Sequence, residues 1–267
     1  MSKKEVQKIE VNAVVEATPV NPAQEEMLSS NILLPKILLM QGLSEFVADR
    51  KAQMGDIVKS IGPVKIGDDK NPIKIIPLTY KNFWEEFEIL GDSKEYRGKV
   101  ERNASNENLL WEFQRDGSSW KRVQTIEVYV LLPSEIAYEI ESKKKFLETG
   151  DLPDLDKTIL PAVITFRSTS FKAGRGVVNH WLKIQKFPGV RAHHFEIGLC
   201  CNQDKNDKGT YFTWEVGNTK SLSPEYRAIA DEWYNTLMSK PDSYKVDETD
   251  DFGTTKPQSA GNSEEMF

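Results

Sequence analysis

The chain has 267 residues, 39% of them hydrophobic and 28% charged, and a formal net charge of −6 at pH 7. These are ordinary values for a soluble globular protein, with room for one large or two small domains. The two cysteines, Cys200 and Cys201, are adjacent, which excludes a disulfide framework and fits a reducing, cytoplasmic setting.

Residues 1–30 are polar and poor in aromatics, and they read as a disordered N-terminal arm. The arm has lysines but no apolar h-region, so no signal peptide is expected. The run "ILLPKILLMQGL" is too short to span a bilayer and holds Pro35 and Lys36, so it reads as a buried strand. Further β-type runs follow: "DIVKSIG", "IKIIPLTY", "FWEEFEIL", "NLLWEFQ", "RVQTIEVYVLLP", "PAVITFRSTS", "HFEIGLCC" and "TYFTWEV". The segment "ETGDLPDLDKTILP" reads as a loop.

Two helices stand out. One begins near Phe171, with Val177, Trp181 and Ile184 on an apolar stripe. Lys172, Arg175, Asn179 and Lys183 recur at spacings of three, four and four, so they share the opposite stripe. Gly174 and Gly176 weaken its first turn, so a loop entering the helix is the equal alternative. The other helix has Ser223 as N-cap and Pro224 in its first turn, with Tyr226, Ile229, Trp233 and Leu237 at helical spacing and Pro241 just past its end. Many strands with two helices predict a β-rich α+β fold. An OB-like Greek-key barrel with additional strands is the leading architecture over residues 31–240, and an open antiparallel sheet is the alternative.

The position of the charge matters more than its sum. The first 30 residues hold three lysines against five glutamates, a net of −2. Residues 241–267 hold two lysines against seven acids, a net of −5, so the body is left at +1. Between 160 and 216 the net is +4, and the cations interleave with Phe166, Phe171, Trp181, Tyr211, Phe212 and Trp214. Single-stranded nucleic acid needs this mixture, cations for phosphates and flat rings for bases. The candidate contacts are Arg167, Lys172, Arg175, Lys183, Lys186 and Lys208, with Tyr211 and Trp214 stacking. In a second aromatic cluster Glu85, Glu86 and Glu88 interleave with the rings, which would repel phosphate. That cluster reads as core, except Tyr80 and Trp111 near Lys81 and Arg115.

Other chemistry is less well supported by the residues. "DKNDKGTYFTWE" places Lys208 where a calcium loop needs an oxygen ligand, so a turn through Asn206–Gly209 is expected instead. His193, His194, Cys200 and Cys201 alternate along an extended run and cannot all converge on one ion, so no metal or cofactor is expected. There is no Walker loop and no Gly-x-Ser-x-Gly elbow, and three histidines leave few acid–base candidates. The reading is a non-catalytic protein.

The chain closes on "GNSEEMF" after an acidic, polar stretch. This resembles the tails of single-stranded-DNA-binding proteins, in which acidic residues precede a final Phe. The resemblance implies a partner-binding tail, with Glu264 and Glu265 steering and Met266 and Phe267 filling a pocket. Its order departs from the Asp-Asp-Ile-Pro of bacterial tips. The blocks "LLPKILLMQGLSEFV", "VITFRSTSFKAGRG" and "KNDKGTYFTWEV" are similar to those of phage and mobile-element single-stranded-DNA-binding proteins. The resemblance implies an OB-like fold that coats single-stranded DNA during phage replication or recombination, with family blocks falling on Arg167, Lys172, Gly174, Arg175, Lys208, Gly209 and Tyr211. It also implies tail-mediated partners among replication, recombination or transcription proteins, RNA polymerase included. A strand-annealing recombination protein is the alternative.

Overall fold

The computed structural model describes residues 32–42, 44–91, 93–154, 157, 159–207, 209–239 and 244–247. The expected N-terminal arm, Lys208 and the tail residues Glu264, Glu265, Met266 and Phe267 lie outside them.

The centre of the fold is a pair of long antiparallel strands, β5 (Ile73–Leu90) and β8 (Ser118–Leu131). The sequence predicts two strands, "IKIIPLTY" and "FWEEFEIL", but they are one strand of 18 residues. A register shift between Pro77 and Thr79 accommodates Pro77, which has no N–H to give the ladder. Each long strand has two successive neighbours on its other edge. For β5 these are β10 (Phe195–Asn206) and then β6 (Ser93–Glu101). For β8 they are β9 (Ala162–Arg167) and then β7 (Glu112–Arg115). The hairpin partner of β10, β11 (Gly209–Ser221), completes a seven-stranded sheet. Its turn falls at the predicted place, with Asn206 opposite Gly209.

A three-stranded meander, β2 (Ile37–Leu39), β3 (Ile57–Lys59) and β4 (Val64–Gly67), adjoins β9 through a parallel bridge between Lys36 and Val163. A short helix, α1 (Glu45–Ala48), lies between β2 and β3. β1 (Ile32–Leu34) pairs in parallel with β12 (Tyr244–Val246). The fold is therefore β-rich α+β with open sheets. Among the described residues no backbone ladder joins the first sheet edge to the last.

The inner half of the large sheet is covered on both faces, which is why "VYVL" at the end of β8 is apolar without a break. Alternate residues serve alternate cores. Ile75, Ile126, Val128, Ile164, Phe166 and Leu199 pack beneath α3 (Phe171–Ile184), against Ala173 and Val177. Ile76, Leu78, Tyr129, Leu131 and Val163 pack on the other face with Ile136 of α2 (Pro133–Thr149) and Ala230 and Leu237 of α4 (Pro224–Ser239).

The expectation of two helices is corrected by α2. Its signals were local and present: Pro133 at the first turn, Ile136 facing inward, and Gly150 at φ 76° accepting the left-handed end. The spans starting at Phe171 and Pro224 agree with their predicted helices. Gly174 has a packing reason. A Cβ there would come within 2.6 Å of the Phe166 Cβ, so its absence lets α3 lie directly on β9.

The outer half of the sheet carries the second aromatic cluster, and here the predicted repulsion of phosphate does not follow. Glu86 is buried and accepts from Arg122 Nε at 2.8 Å and Arg115 Nη1 at 3.0 Å. Glu88 binds Arg97 at 2.5 Å, Glu127 binds Lys99, and Glu85 meets Arg167 at 3.4 Å. The glutamates are neutralised internally, a long-range pairing that the one-dimensional pattern does not contain.

Candidate nucleic-acid interface

Helix α3 presents its polar stripe as the spacing predicts. Lys172, Arg175, Asn179 and Lys183 are all exposed, while Val177 and Trp181 on the opposite stripe are buried. Lys186, just past the helix, is also exposed. Phe171, Arg175 and Asn179, each four residues apart, form a ridge with a depression on either side.

The first depression, about 340 Å³, lies between this ridge and the point where β5 and β8 emerge from the core. Asn82 and Gln124 supply amides from its floor, and Arg102 and Glu107 form its far wall. That wall is held rigidly. Trp84 Nε1 donates to the Asn106 carbonyl at 3.1 Å, the Arg102 N–H donates to the Asn82 carbonyl at 2.9 Å, and the Arg102 guanidinium lies over the Trp84 ring at 5.5 Å. Arg102 Nη2 reaches Glu107 at 3.3 Å, but its buried Nε–H has no acceptor. Arg102 is half-buried, and its guanidinium gives that wall a positive charge beside Glu107.

The second depression, about 500 Å³, is lined by Ser168, Thr169, Lys172 and Gly176 together with the ridge. Ser168 stands at φ 50°, a left-handed conformation uncommon outside glycine, at the turn that aims Thr169 and the start of α3 toward this side. The two depressions therefore offer three cations (Lys172, Arg175 and Arg102), amides and hydroxyls, one half-buried ring (Phe171) and one acid.

The predicted contacts separate into groups. Lys172, Arg175 and Lys183 share the exposed stripe. Arg167 is half-buried and engaged with Glu85, so its charge is directed inward. Trp214 is 7% exposed and its ring meets Phe166 edge-on at 6.2 Å, so the ring expected to stack on bases lies in the core. Tyr211 is half-buried, and its hydroxyl donates to Asp204 at 2.9 Å, a bond that raises the phenol pKa ahead of burial. Tyr80 packs edge-on against Trp181 at 5.7 Å, beneath α3. Trp111 is 55% exposed and meets Trp84 edge-on at 5.9 Å, so its ring borders the Arg102 wall.

Sequence reasoning missed Asn82, Arg102 and Gln124. Asn82 and Gln124 lie within the long strands and Arg102 just past the end of β6, and nothing local marks any of them as facing a helix far along the chain. The cysteines do not join the adjacent histidines. Cys201 Sγ donates to the Gly55 carbonyl at 3.3 Å, and Cys200 Sγ points to the Glu215 carbonyl at 3.6 Å.

A β-rich α+β body bearing a cationic helix stripe beside a polar groove defines the class of molecule. Within that class, residues 5–241 match the model of the Pam3 phage gp34-like proteins, and the chain belongs to that family, whose name points to a bacteriophage source. No curated protein and no solved structure matches the chain. Among the described residues no helix is long and apolar enough to cross a membrane.

Proposed function

We propose that the protein binds single-stranded DNA without catalysis and coats it during phage replication or recombination. The observation that carries this reading is the ridge of α3, where Lys172, Arg175 and Lys183 stand in line beside a groove walled by Arg102. The three cations of the stripe track phosphates. Phe171 and Trp111 supply ring faces, each worth ~1–3 kcal/mol per stacked base. Asn82, Gln124 and Asn179 supply amides for base edges or sugar, which tolerate any sequence when reached through water. Duplex DNA is a poorer fit because its bases are already stacked and give Phe171 nothing to cover.

An OB-like reading of the fold draws support from one contact. The Gln41 side chain bonds both backbone groups of Phe212, donating to its carbonyl and accepting from its N–H, each at 3.0 Å. This brings the end of β2 against β11, the seam that a closed barrel would use. The acidic tail serves as the partner-recruiting element: deleting residues 261–267 should abolish recruitment of a replication, recombination or transcription protein and leave DNA binding intact or tighter.

The test is binding to fluorescent oligo(dT) and to a duplex of equal length across a salt series. Single strands should bind more tightly, with affinity falling as salt rises. The triple variant K172A/R175A/K183A should flatten the log–log slope by about 2, since each released counterion contributes about 0.7 on single strands. No binding at low salt, or an unchanged slope in a folded triple variant, refutes the proposal.

A further inference from the structure

We infer that His193, His194 and Asp231 form a binding site for a divalent transition-metal ion, with zinc as the best chemical match. The site is separate from the α3 groove and joins α4 to the one-turn 3-10 helix Ala192–His194 that precedes β10.

The geometry is specific. His193 Nε2 stands 2.8 Å from Asp231 Oδ1, and His194 Nε2 stands 3.1 and 3.2 Å from its two oxygens. The three donor atoms lie within 4.8 Å of one another. Tetrahedral zinc with bonds of about 2.0–2.1 Å holds its ligand atoms roughly 3.3 Å apart, close to the observed imidazole–carboxylate spacings, so an ion enters as the carboxylate backs off slightly and the two imidazoles draw to that spacing. The rings are already positioned. His193 is buried and stacks on Tyr234 at 4.4 Å, and His194 meets His193 edge-on at 5.1 Å. The Leu222 N–H donates to the His194 carbonyl at 2.9 Å and fixes the backbone of the pair.

Three nitrogen groups gather on this one carboxylate: Arg191 Nη1 and His193 Nε2 on Oδ1 at 2.9 and 2.8 Å, with His194 Nε2 split between the two oxygens. A metal ion can take the place of these hydrogen bonds. Each neutral imidazole turns an Nε2 lone pair inward and keeps its proton on Nδ1, the carboxylate supplies the third ligand, and the exposed Arg191 is free to move off. The fourth corner is left to water. Imidazole with carboxylate suits zinc, and the absence of thiolate from the set disfavours soft monovalent copper. Bound metal would tie α4, the last long helix before β12, to the large sheet.

The test uses the full chain with both cysteines replaced (C200S/C201S), so that thiols cannot supply the ligands. After dialysis against equimolar Zn²⁺, this protein should retain one ion per chain and melt at a higher temperature. The further substitutions H194Q and D231N, at partly exposed positions, should each abolish retention and the melting shift while leaving the circular dichroism spectrum unchanged. Co²⁺ loading should give visible bands of a nitrogen–oxygen tetrahedral site. Failure of the C200S/C201S protein to retain zinc, or undiminished retention by folded H194Q and D231N proteins, overturns the inference.

Discussion

Replacing Gly174 with alanine should destabilise the protein even though alanine is the better helix former. The added Cβ would stand 2.6, 2.9 and 3.1 Å from Cβ, Cγ and Cδ2 of Phe166, all well inside van der Waals contact. Phe166 cannot yield, because it is fully buried in β9 and packed against Trp214. Helix α3 must therefore lift from the sheet. Overpacking of this kind costs about 1–3 kcal/mol, and the gain in helix propensity offsets about 1 kcal/mol. The net loss should be up to about 2 kcal/mol, which lowers Tm by up to about 8 °C for a body of this size. Gly176→Ala is the internal control. Its Cβ would meet only Val216, a half-buried side chain, with Cγ2 at 3.0 Å and Cβ at 3.6 Å. There the same propensity gain should leave stability within about 1 kcal/mol of wild type. Thermal and urea melts of both variants decide the matter. If Gly174→Ala is as stable as Gly176→Ala, the close approach of α3 to β9 is wrong, and with it the placement of Arg175 over the groove.

Three further outcomes follow from contacts in the body. Arg122→Met leaves the buried Glu86 carboxylate with Arg115 alone and should cost about 3–5 kcal/mol in urea denaturation, whereas Glu86→Leu/Arg122→Met should recover most of it. Gln41→Ala strips both partners from the Phe212 backbone and should cost about 1–3 kcal/mol, with faster hydrogen exchange at the Phe212 amide; unaltered exchange would show that β2 and β11 do not meet there. The hydrogen bond from Lys65 holds the Asp68 carboxyl far below its ordinary value of 3.8. A depressed carboxylate contributes stability that is present above pH 3.8 and lost as pH falls toward the folded value. Asp68→Asn should therefore lower stability in the neutral region and flatten the acid limb of the profile, and a profile unaltered in both regions would count against that assignment.

The sequence by itself determined whatever depends on residues near one another in the chain. The cationic stripe of α3 follows from spacings of three and four, the span of α4 from Ser223 and Pro224, and the hairpin from Asn206 to Gly209 from turn chemistry. The helix α2 was equally local, with its proline and glycine in place. Alternation in "TYFTWEV" already put Trp214 on the face of Phe212, and that face proved to be the core. Tertiary structure alone decided the rest. Arg102, Asn82 and Gln124 meet α3 because β5 and β8 pair along most of their length, and pairing register is set by contacts between distant residues. The neutralisation of Glu85, Glu86 and Glu127 has the same origin. So does the meeting of His193 and His194 with Asp231, where a short 3-10 turn, in place of the alternation of a strand, aims both imidazoles at one carboxylate on a helix 37 residues further along the chain.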